Sequence, residues 1–167
     1  MGKRSSFARA PRDFYPTPRE AVAPLLPHLP PQTWYAEPCV GDRALVKCLS
    51  DAGHRCVQSG DIETGQDARD FAASPHCRFI ITNPPWSRPL LHDLIVHFSD
   101  QRPTWLLFDA DWMHTRQAAP FLPRCRKIVS VGRVKWIPDS PHTGKDNACW
   151  YLFKDGAGST EFVGRMA

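Results

Sequence analysis

Short apolar runs recur along the chain from residue 34 onward, and the polar stretches between them contain many prolines and glycines. Runs that are too short for a buried helix and rich in aromatic or β-branched residues predict β-strands. Such runs cover residues 34–36, 56–57, 79–81, 104–108, 128–131 and 150–153. Apolar residues at helical spacing predict helices over 44–52 and 90–98, with a shorter one over 116–119 that Thr115 caps and Pro120 ends.

Alternating strands and helices predict an α/β fold with a mostly parallel sheet flanked by helices. In such sheets, ligands bind beyond the carboxyl ends of the strands, so the residues that follow each apolar run are the first candidates for function. Prolines at positions 24, 27, 30 and 31 mark a kinked passage before the first strand. We therefore expect an N-terminal arm over residues 1–32 and a main body over residues 33–167.

The composition is that of one ordinary globular domain. With 167 residues, 42% of them hydrophobic and 23% charged, the chain can bury a core and is not expected to be disordered. No apolar run approaches the ~20 residues of a membrane helix, and no apolar segment follows the basic start. We therefore expect a cytoplasmic protein with no membrane partner.

Neither the cysteines nor the histidines form a ligand pattern. The six cysteines include no Cys-x-x-Cys pair, and His92 and His97 are too far apart on the predicted helix to share a face as metal ligands. The sequence therefore predicts no metal site.

The chain is mildly basic, with 21 Lys and Arg against 17 Asp and Glu and a net charge of +4. This balance is compatible with a polyanionic partner, although many unrelated proteins share it. Several of the basic residues crowd the first twenty positions, namely Lys3, Arg4, Arg9, Arg12 and Arg19. A nucleic-acid-binding arm and a merely solvated arm explain that cluster equally well.

The most informative stretch is Asn83-Pro84-Pro85-Trp86, which follows the third predicted strand. Proline holds Asn83 out of the helical region, and the two prolines supply no backbone donors, so nearby carbonyl groups are free to face a ligand. The amide oxygen of Asn83 and the carbonyl oxygen of Pro84 can accept both hydrogens of a planar amino group, while Trp86 offers a face for stacking. A proline-rich turn with a packing Trp is the alternative.

A second stretch, Glu37-Pro38-Cys39-Val40-Gly41-Asp42-Arg43, is a tight loop between the first predicted strand and the first predicted helix. Here the sequence resembles the class I methyltransferases that use S-adenosylmethionine, and among them the enzymes that methylate the amino group of adenine in DNA. Their first motif typically reads Glu/Asp-Pro-x-x-Gly-x-Gly, and their fourth reads Asn/Asp-Pro-Pro-aromatic. The resemblance covers nearly the whole chain and implies a Rossmann-like fold with S-adenosyl-L-methionine as cofactor.

The resemblance also implies roles for individual residues. Residues 14–18 are similar to a segment that closes over the methionine part of the cofactor, residues 60–62 to the motif that binds its ribose, and residues 70–71 to the motif that binds its adenine, with Asp67 competing for the role of Asp70. The cofactor-binding residues implied are Tyr15, Thr17, Glu37, Cys39, Gly41, Asp61, Ile62, Asp70 and Phe71. The catalytic residues implied are Asn83, Pro84, Pro85 and Trp86.

One position departs from the family pattern, because Arg43 stands where the first motif has its second glycine. Glycine is usual there since the backbone passes close to the ligand, so Arg43 either shifts the loop or turns its side chain away. A non-catalytic nucleic-acid-binding module on the same fold is therefore an alternative. The intact Asn83–Trp86 stretch argues against it.

Two polar segments are candidates for substrate contacts. Asp111 and Trp112 follow the fourth predicted strand, where an acidic loop with a Trp that plugs the core is the alternative interpretation. The segment before the last predicted strand offers side chains suited to phosphates or base edges, namely His142, Lys145 and Asn147.

Together these features predict methylation of adenine in DNA, with RNA adenine or the glutamine side chain of a protein as alternative acceptors. We expect a base flipped out of the duplex and stacked on Trp86. The chain leaves no room for a separate target-recognition domain, so we expect low sequence specificity or help from a second subunit, for which a homodimer is a candidate.

Overall fold

Within the residues that the computed structural model describes, 15–137, 144 and 146–165, seven strands form one sheet. The strands are β1 Trp34–Glu37, β2 Arg55–Ser59, β3 Phe79–Thr82, β4 Thr104–Asp109, β5 Cys125–Arg133, β6 Asn147–Phe153 and β7 Glu161–Val163. Every predicted strand is present. The sequence did not predict β7, which is only three residues long and leaves Phe162 exposed.

The sheet has the strand order β2-β1-β3-β4-β6-β5-β7 and is mostly parallel, as predicted. Strands β1 to β4 run parallel to one another, whereas β6 runs antiparallel to both β4 and β5. Because β5 is therefore parallel to β4, the carboxyl ends of β1 to β5 and the amino end of β6 lie at one edge of the sheet. We call this edge the carboxyl edge.

Helices flank the sheet where the sequence predicts them. They are α1 Arg19–Val22, which continues as a 3-10 helix over Ala23–His28, α2 Ala44–Asp51 and α3 Arg88–Ser99. The predicted helix over 116–119 is a 3-10 turn, Arg116–Ala118, and the hydroxyl of Thr115 does not cap it but donates to the carbonyl oxygen of Trp112. The sequence did not predict α1 or the 3-10 helix that follows it.

Each face of the sheet has its own apolar core. On one face, α3 and the 3-10 turns pack against β3, β4 and β6 around Phe98, Phe108 and Tyr151. On the other face, the N-terminal helices and α2 pack around Leu25 and Trp150. Each such side chain contributes ~1.5–3 kcal/mol when it is fully buried, so the loops at the carboxyl edge are attached to a firmly packed scaffold.

The described part of the chain contains no helix long and apolar enough to cross a membrane. In the same part, no three His, Cys, Asp or Glu side chains converge as a metal site would require.

Candidate functional site

A cavity of about 750 Å³ opens at the carboxyl edge, above the ends of β1, β2 and β3. Its walls come from the loops after these strands and from the segment before α1. Most of the residues that the sequence assigned to a cofactor, and two of those assigned to catalysis, line it: Tyr15, Thr17, Glu37, Cys39, Gly41, Asp61, Ile62, Asn83 and Pro85. Residues from 15 to 85 therefore meet in one place because parallel strands end at the same edge.

Glu37, the last residue of β1, lies at the floor of this cavity with only 1% of its surface exposed. Its Oε1 accepts a 3.0 Å hydrogen bond from the backbone N–H of Cys39. Burial nevertheless raises the pKa of Glu37 to about 8, because desolvation penalises the carboxylate. A positively charged ligand in the cavity would compensate that penalty.

Asp61, just beyond β2, ties two loops of the cavity together. Its Oδ2 accepts from the backbone N–H of Gly41 at 2.9 Å, and its Oδ1 accepts from the backbone N–H of Glu63 at 2.8 Å. A carboxylate has about four acceptor positions, so both oxygens keep capacity for a ligand. Two vicinal hydroxyl groups would suit this arrangement.

Arg43 has the left-handed backbone conformation, with a φ of 68°. Glycine adopts this conformation without strain, which explains the family's preference for glycine at this position. The side chain of Arg43 is exposed and does not line the cavity. Of the two expected outcomes, the structure therefore shows a side chain that turns away from the cavity.

Of the two acids that compete for the third cofactor motif, Asp67 lines the cavity and Asp70 does not. Asp67 lines the cavity, and its carboxylate caps the 3-10 turn Ala68–Asp70 by accepting from the backbone N–H of Arg69. The guanidinium of Arg69, 2.6 Å away, lowers the pKa of Asp67 to about 2. The turn leaves Asp70 outside the cavity, and Phe71 is a core residue that packs edge to face on Phe98.

Asn83, just beyond β3, has a side-chain amide held at both ends. The indole N–H of Trp86 lies 3.3 Å from Oδ1, and Nδ2 lies 3.1 Å from Oγ1 of Thr17. An indole nitrogen can only donate, so the amide oxygen must face Trp86 and the amide nitrogen must face the hydroxyl. The oxygen keeps a second lone pair, which is available to an N–H donor from a ligand.

Trp86 and Pro84 do not line this cavity. The indole N–H of Trp86 also donates to the carbonyl oxygen of Leu107, and its ring packs at right angles against Trp136, with 5.7 Å between centroids. Pro84 is buried. The sequence offered no local signal for the contact with Trp136, which follows β5 far along the chain.

The structure does not bring Trp112 to a substrate surface. The 3-10 turn Ala110–His114 directs its ring into the core, where it is 0% exposed and packs edge to face on Phe108. Its indole N–H donates to Nε2 of His92 at 3.0 Å. Burial lowers the pKa of His92, which keeps that nitrogen free to accept. The prediction of a substrate contact is therefore corrected to the alternative, a Trp that plugs the core.

Two other predicted substrate residues, Asp111 and Asn147, line a second cavity of about 750 Å³. It begins at the carboxyl edge where β5 and β6 meet, and the segment after β7 forms one wall. Its other polar and aromatic lining residues, which no sequence pattern indicated as substrate contacts, include His114, Ser130, Phe162 and Arg165. His142 and Lys145 lie outside the described residues.

No family model and no curated protein sequence matches this chain. Among solved structures, the 23S rRNA methyltransferase ErmE superposes with a TM-score of 0.53 at 14% sequence identity, over 84% of this chain and 70% of ErmE. The M protein of the type I restriction enzyme EcoKI superposes with a TM-score of 0.52 at 11% identity, over 86% of this chain and 44% of that protein. The seven-stranded, mostly parallel sheet with flanking helices is thus the Rossmann-like fold of class I methyltransferases.

Proposed function

We propose that this chain is an S-adenosylmethionine-dependent methyltransferase that acts on the exocyclic amino group of adenine in DNA. The observation that carries the proposal is the fixed amide of Asn83 at the wall of the first cavity. Trp86 orients its oxygen and Thr17 its nitrogen. The oxygen keeps a lone pair for an N–H donor, and an exocyclic amine is such a donor.

The first cavity suits S-adenosylmethionine on three counts. The buried carboxyl of Glu37 gains from a cationic ligand, and this cofactor carries sulfonium and ammonium groups. Asp61 keeps acceptor positions for ribose hydroxyls. Ile62 is 54% exposed beside the cavity and offers an apolar surface that a purine ring would cover. When bound, the cofactor supplies an electrophilic methyl group.

The chain's own contribution to the reaction is positioning. Methyl transfer is an in-line displacement, so holding the acceptor nitrogen in line lowers the barrier without a strong general base. The amide oxygen of Asn83 accepts one hydrogen of the amino group and helps to direct the nitrogen lone pair toward the cofactor cavity. The carbonyl oxygen of Pro84 is the proposed partner of the second hydrogen, and the proton leaves to solvent.

The second cavity and the charge of the chain favour a nucleic acid as acceptor. His114, Asn147 and Arg165 suit phosphates and base edges, and Phe162 suits stacking of an unpaired base. The net charge is +4. ErmE is named as an rRNA methyltransferase, and the EcoKI protein as part of a restriction enzyme, which supports a nucleic acid over a protein.

One experiment tests the activity and the acceptor together. The full chain is incubated with methyl-labelled S-adenosylmethionine and, separately, with duplex DNA, RNA and a cell protein extract, alongside the Asn83→Ala variant. We expect label in adenine N6 of DNA with the wild-type chain and none with the variant. Label only in RNA or only in glutamine side chains would replace the proposed acceptor, and no label in any of them would reject the activity.

A further inference from the structure

Three segments that are distant in the chain close a ring of contacts at the proposed acceptor site. Thr17 contacts Asn83, Asn83 contacts Trp86, and Trp86 packs against Trp136. The two ends of this series are Thr17 and Trp136, and the contact that completes the ring joins Glu20 to Lys135. The ring therefore joins residues 17–20, residues 83–86 and residues 134–136.

The closing contact is made by Glu20, in the first turn of α1. Its Oε1 accepts a 2.7 Å hydrogen bond from the backbone N–H of Lys135, which lies 115 residues away in the chain. Lys135 directly precedes Trp136, so this bond fixes the backbone at the point from which the Trp136 ring reaches Trp86. Glu20 therefore acts on the acceptor site through Trp136 and does not line the first cavity.

The segment that carries Glu20 is firmly anchored. Ala21, Val22 and Leu25 are at most 1% exposed in the core, and the carbonyl oxygen of Ala21 accepts a buried 2.7 Å hydrogen bond from the indole of Trp150 on β6. Since α1 cannot shift without breaking these contacts, Thr17 and Glu20 are held at a fixed separation.

Gly144, which lies between β5 and β6 in the chain, is also close to Trp136. The backbone N–H of Gly144 donates to the carbonyl oxygen of Val134 at 2.9 Å. A Cβ at Gly144 would lie 2.9 Å from that carbonyl oxygen and 3.2 Å from Cδ1 of Trp136. Glycine therefore allows the connection to pack closely on the indole ring.

From this ring we infer that Glu20 and Trp136 are positioning residues for the acceptor, an inference that rests on the proposed function. Glu20 fixes the backbone of Lys135, and the next residue, Trp136, packs against Trp86. The indole N–H of Trp86 in turn orients the amide oxygen of Asn83. Residues 17–20 thus position both the loop that carries Asn83 and the segment that carries Trp136.

The test compares Glu20→Ala with Glu20→Gln, which keeps an oxygen that accepts from Lys135. Asp51→Ala is the matched control, because Asp51 also contacts α1 through Arg19 but takes no part in the ring. We expect Glu20→Ala to raise the KM for the nucleic-acid acceptor at least threefold and to speed hydrogen exchange at the Lys135 amide. We expect Glu20→Gln and Asp51→Ala to stay within twofold of the wild-type KM, and all three variants to keep the wild-type Kd for S-adenosylmethionine.

A second pair of variants probes the aromatic contact. Trp136→Leu should raise the acceptor KM as Glu20→Ala does, whereas Trp136→Phe, which keeps an aromatic edge for Trp86, should restore most of the affinity. If the wild-type chain methylates its acceptor and Glu20→Ala has the wild-type acceptor KM, the inference is wrong while the proposed function stands. If the wild-type chain transfers no methyl group to any acceptor, the proposed function fails and this inference fails with it.

Discussion

Asn83 Nδ2 and Thr17 Oγ1 are 3.1 Å apart, although the two residues are separated by 66 positions in the chain. Thr17 is buried, with 5% of its surface exposed, and lines the first cavity together with Asn83. The segment before α1 and the loop after β3 are therefore connected at the point where the proposed cofactor and acceptor sites meet. Because of this hydrogen bond, each of the two segments restrains the position of the other.

Asn83→Ala should lower methyl transfer by about 10²-fold or more, since it removes the oxygen that accepts from the amino group in the transition state. Calorimetric Kd values for S-adenosylmethionine should change little, because the amide oxygen is the proposed contact of the acceptor and not of the cofactor. Asn83→Asp is the matched control, since it keeps an accepting oxygen and should retain measurable turnover. Near-normal turnover of Asn83→Ala would exclude the assignment of this residue.

Thr17→Val should reduce kcat by about twofold to tenfold, which corresponds to one neutral hydrogen bond of ~0.5–1.5 kcal/mol. Valine has nearly the shape of threonine but cannot accept from the Asn83 amide, so the amide loses one of its two restraints. Thr17→Ser keeps the hydroxyl and should keep kcat. Single-turnover kinetics at saturating cofactor would measure the effect, and equal rates for Thr17→Val and Thr17→Ser would refute it.

Arg43→Gly should stabilise the fold by about 1 kcal/mol. The left-handed conformation at Arg43 costs a non-glycine residue about 1–2 kcal/mol, and the greater freedom of glycine in the unfolded chain offsets part of the gain. Thermal unfolding should show a Tm about 2–4 °C higher. Arg43→Ala removes the same side chain but keeps the strain, so its Tm should not rise, and the cofactor Kd should be the same in both variants.

The sequence predicted the fold, and it predicted most of the residues that meet at the first cavity, because both depend on local patterns. Short apolar runs located the strands, and Glu37, Asp61 and Asn83 each follow one of those runs, so parallel strands bring them together. Trp112 could not be assigned in the same way. Whether the first residues after a strand turn inward or outward depends on the core that receives them, here Phe108 and its neighbours.

The choice between Asp67 and Asp70 and the role of Glu20 also lay beyond the sequence. The 3-10 turn that places Asp67 at the cavity is shorter than any periodic signal. The bond from Lys135 to Glu20 joins residues 115 positions apart, and a single sequence carries no record of such a pair. The sequence did not predict α1 or β7 either, because elements of four and three residues are too short to show a periodic pattern.

The pKa of Glu37 predicts how stability and cofactor binding depend on pH. Because its pKa is raised to about 8 in the folded chain from 4.5, the folded state holds this proton more tightly than the unfolded state. The contribution of Glu37 to the free energy of unfolding is therefore fully present below pH 4.5, falls by up to ~1.4 kcal/mol per pH unit as the pH rises, and levels off above pH 8. Urea unfolding at several pH values should show Glu37→Gln gaining stability relative to the wild type as the pH rises through this window.

Cofactor binding should release a proton near pH 7, because a cationic ligand favours the ionised carboxyl of Glu37. Titration calorimetry in buffers with different ionisation enthalpies measures that proton directly. Glu37→Gln should release fewer protons than the wild type. Equal proton release by the two proteins would show that Glu37 does not sense the charge of the ligand.

Nucleic-acid binding by this chain should be strongly salt-dependent and only weakly sequence-specific. We expect Lys and Arg side chains to contact phosphates and the second cavity to contribute to base readout. If the protein neutralises about six phosphates, its affinity for nucleic acid should fall about 10³-fold when the salt concentration rises from about 50 to about 200 mM. Its affinity for the cofactor should change little. Fluorescence anisotropy with duplexes of different sequence measures both properties, and mapping of methylated adenines across the genome of bacteria that express the chain should show a short or relaxed site.

Light scattering on the same protein would show whether it acts as a homodimer, and a long, strictly defined site methylated by a monomer would contradict the prediction.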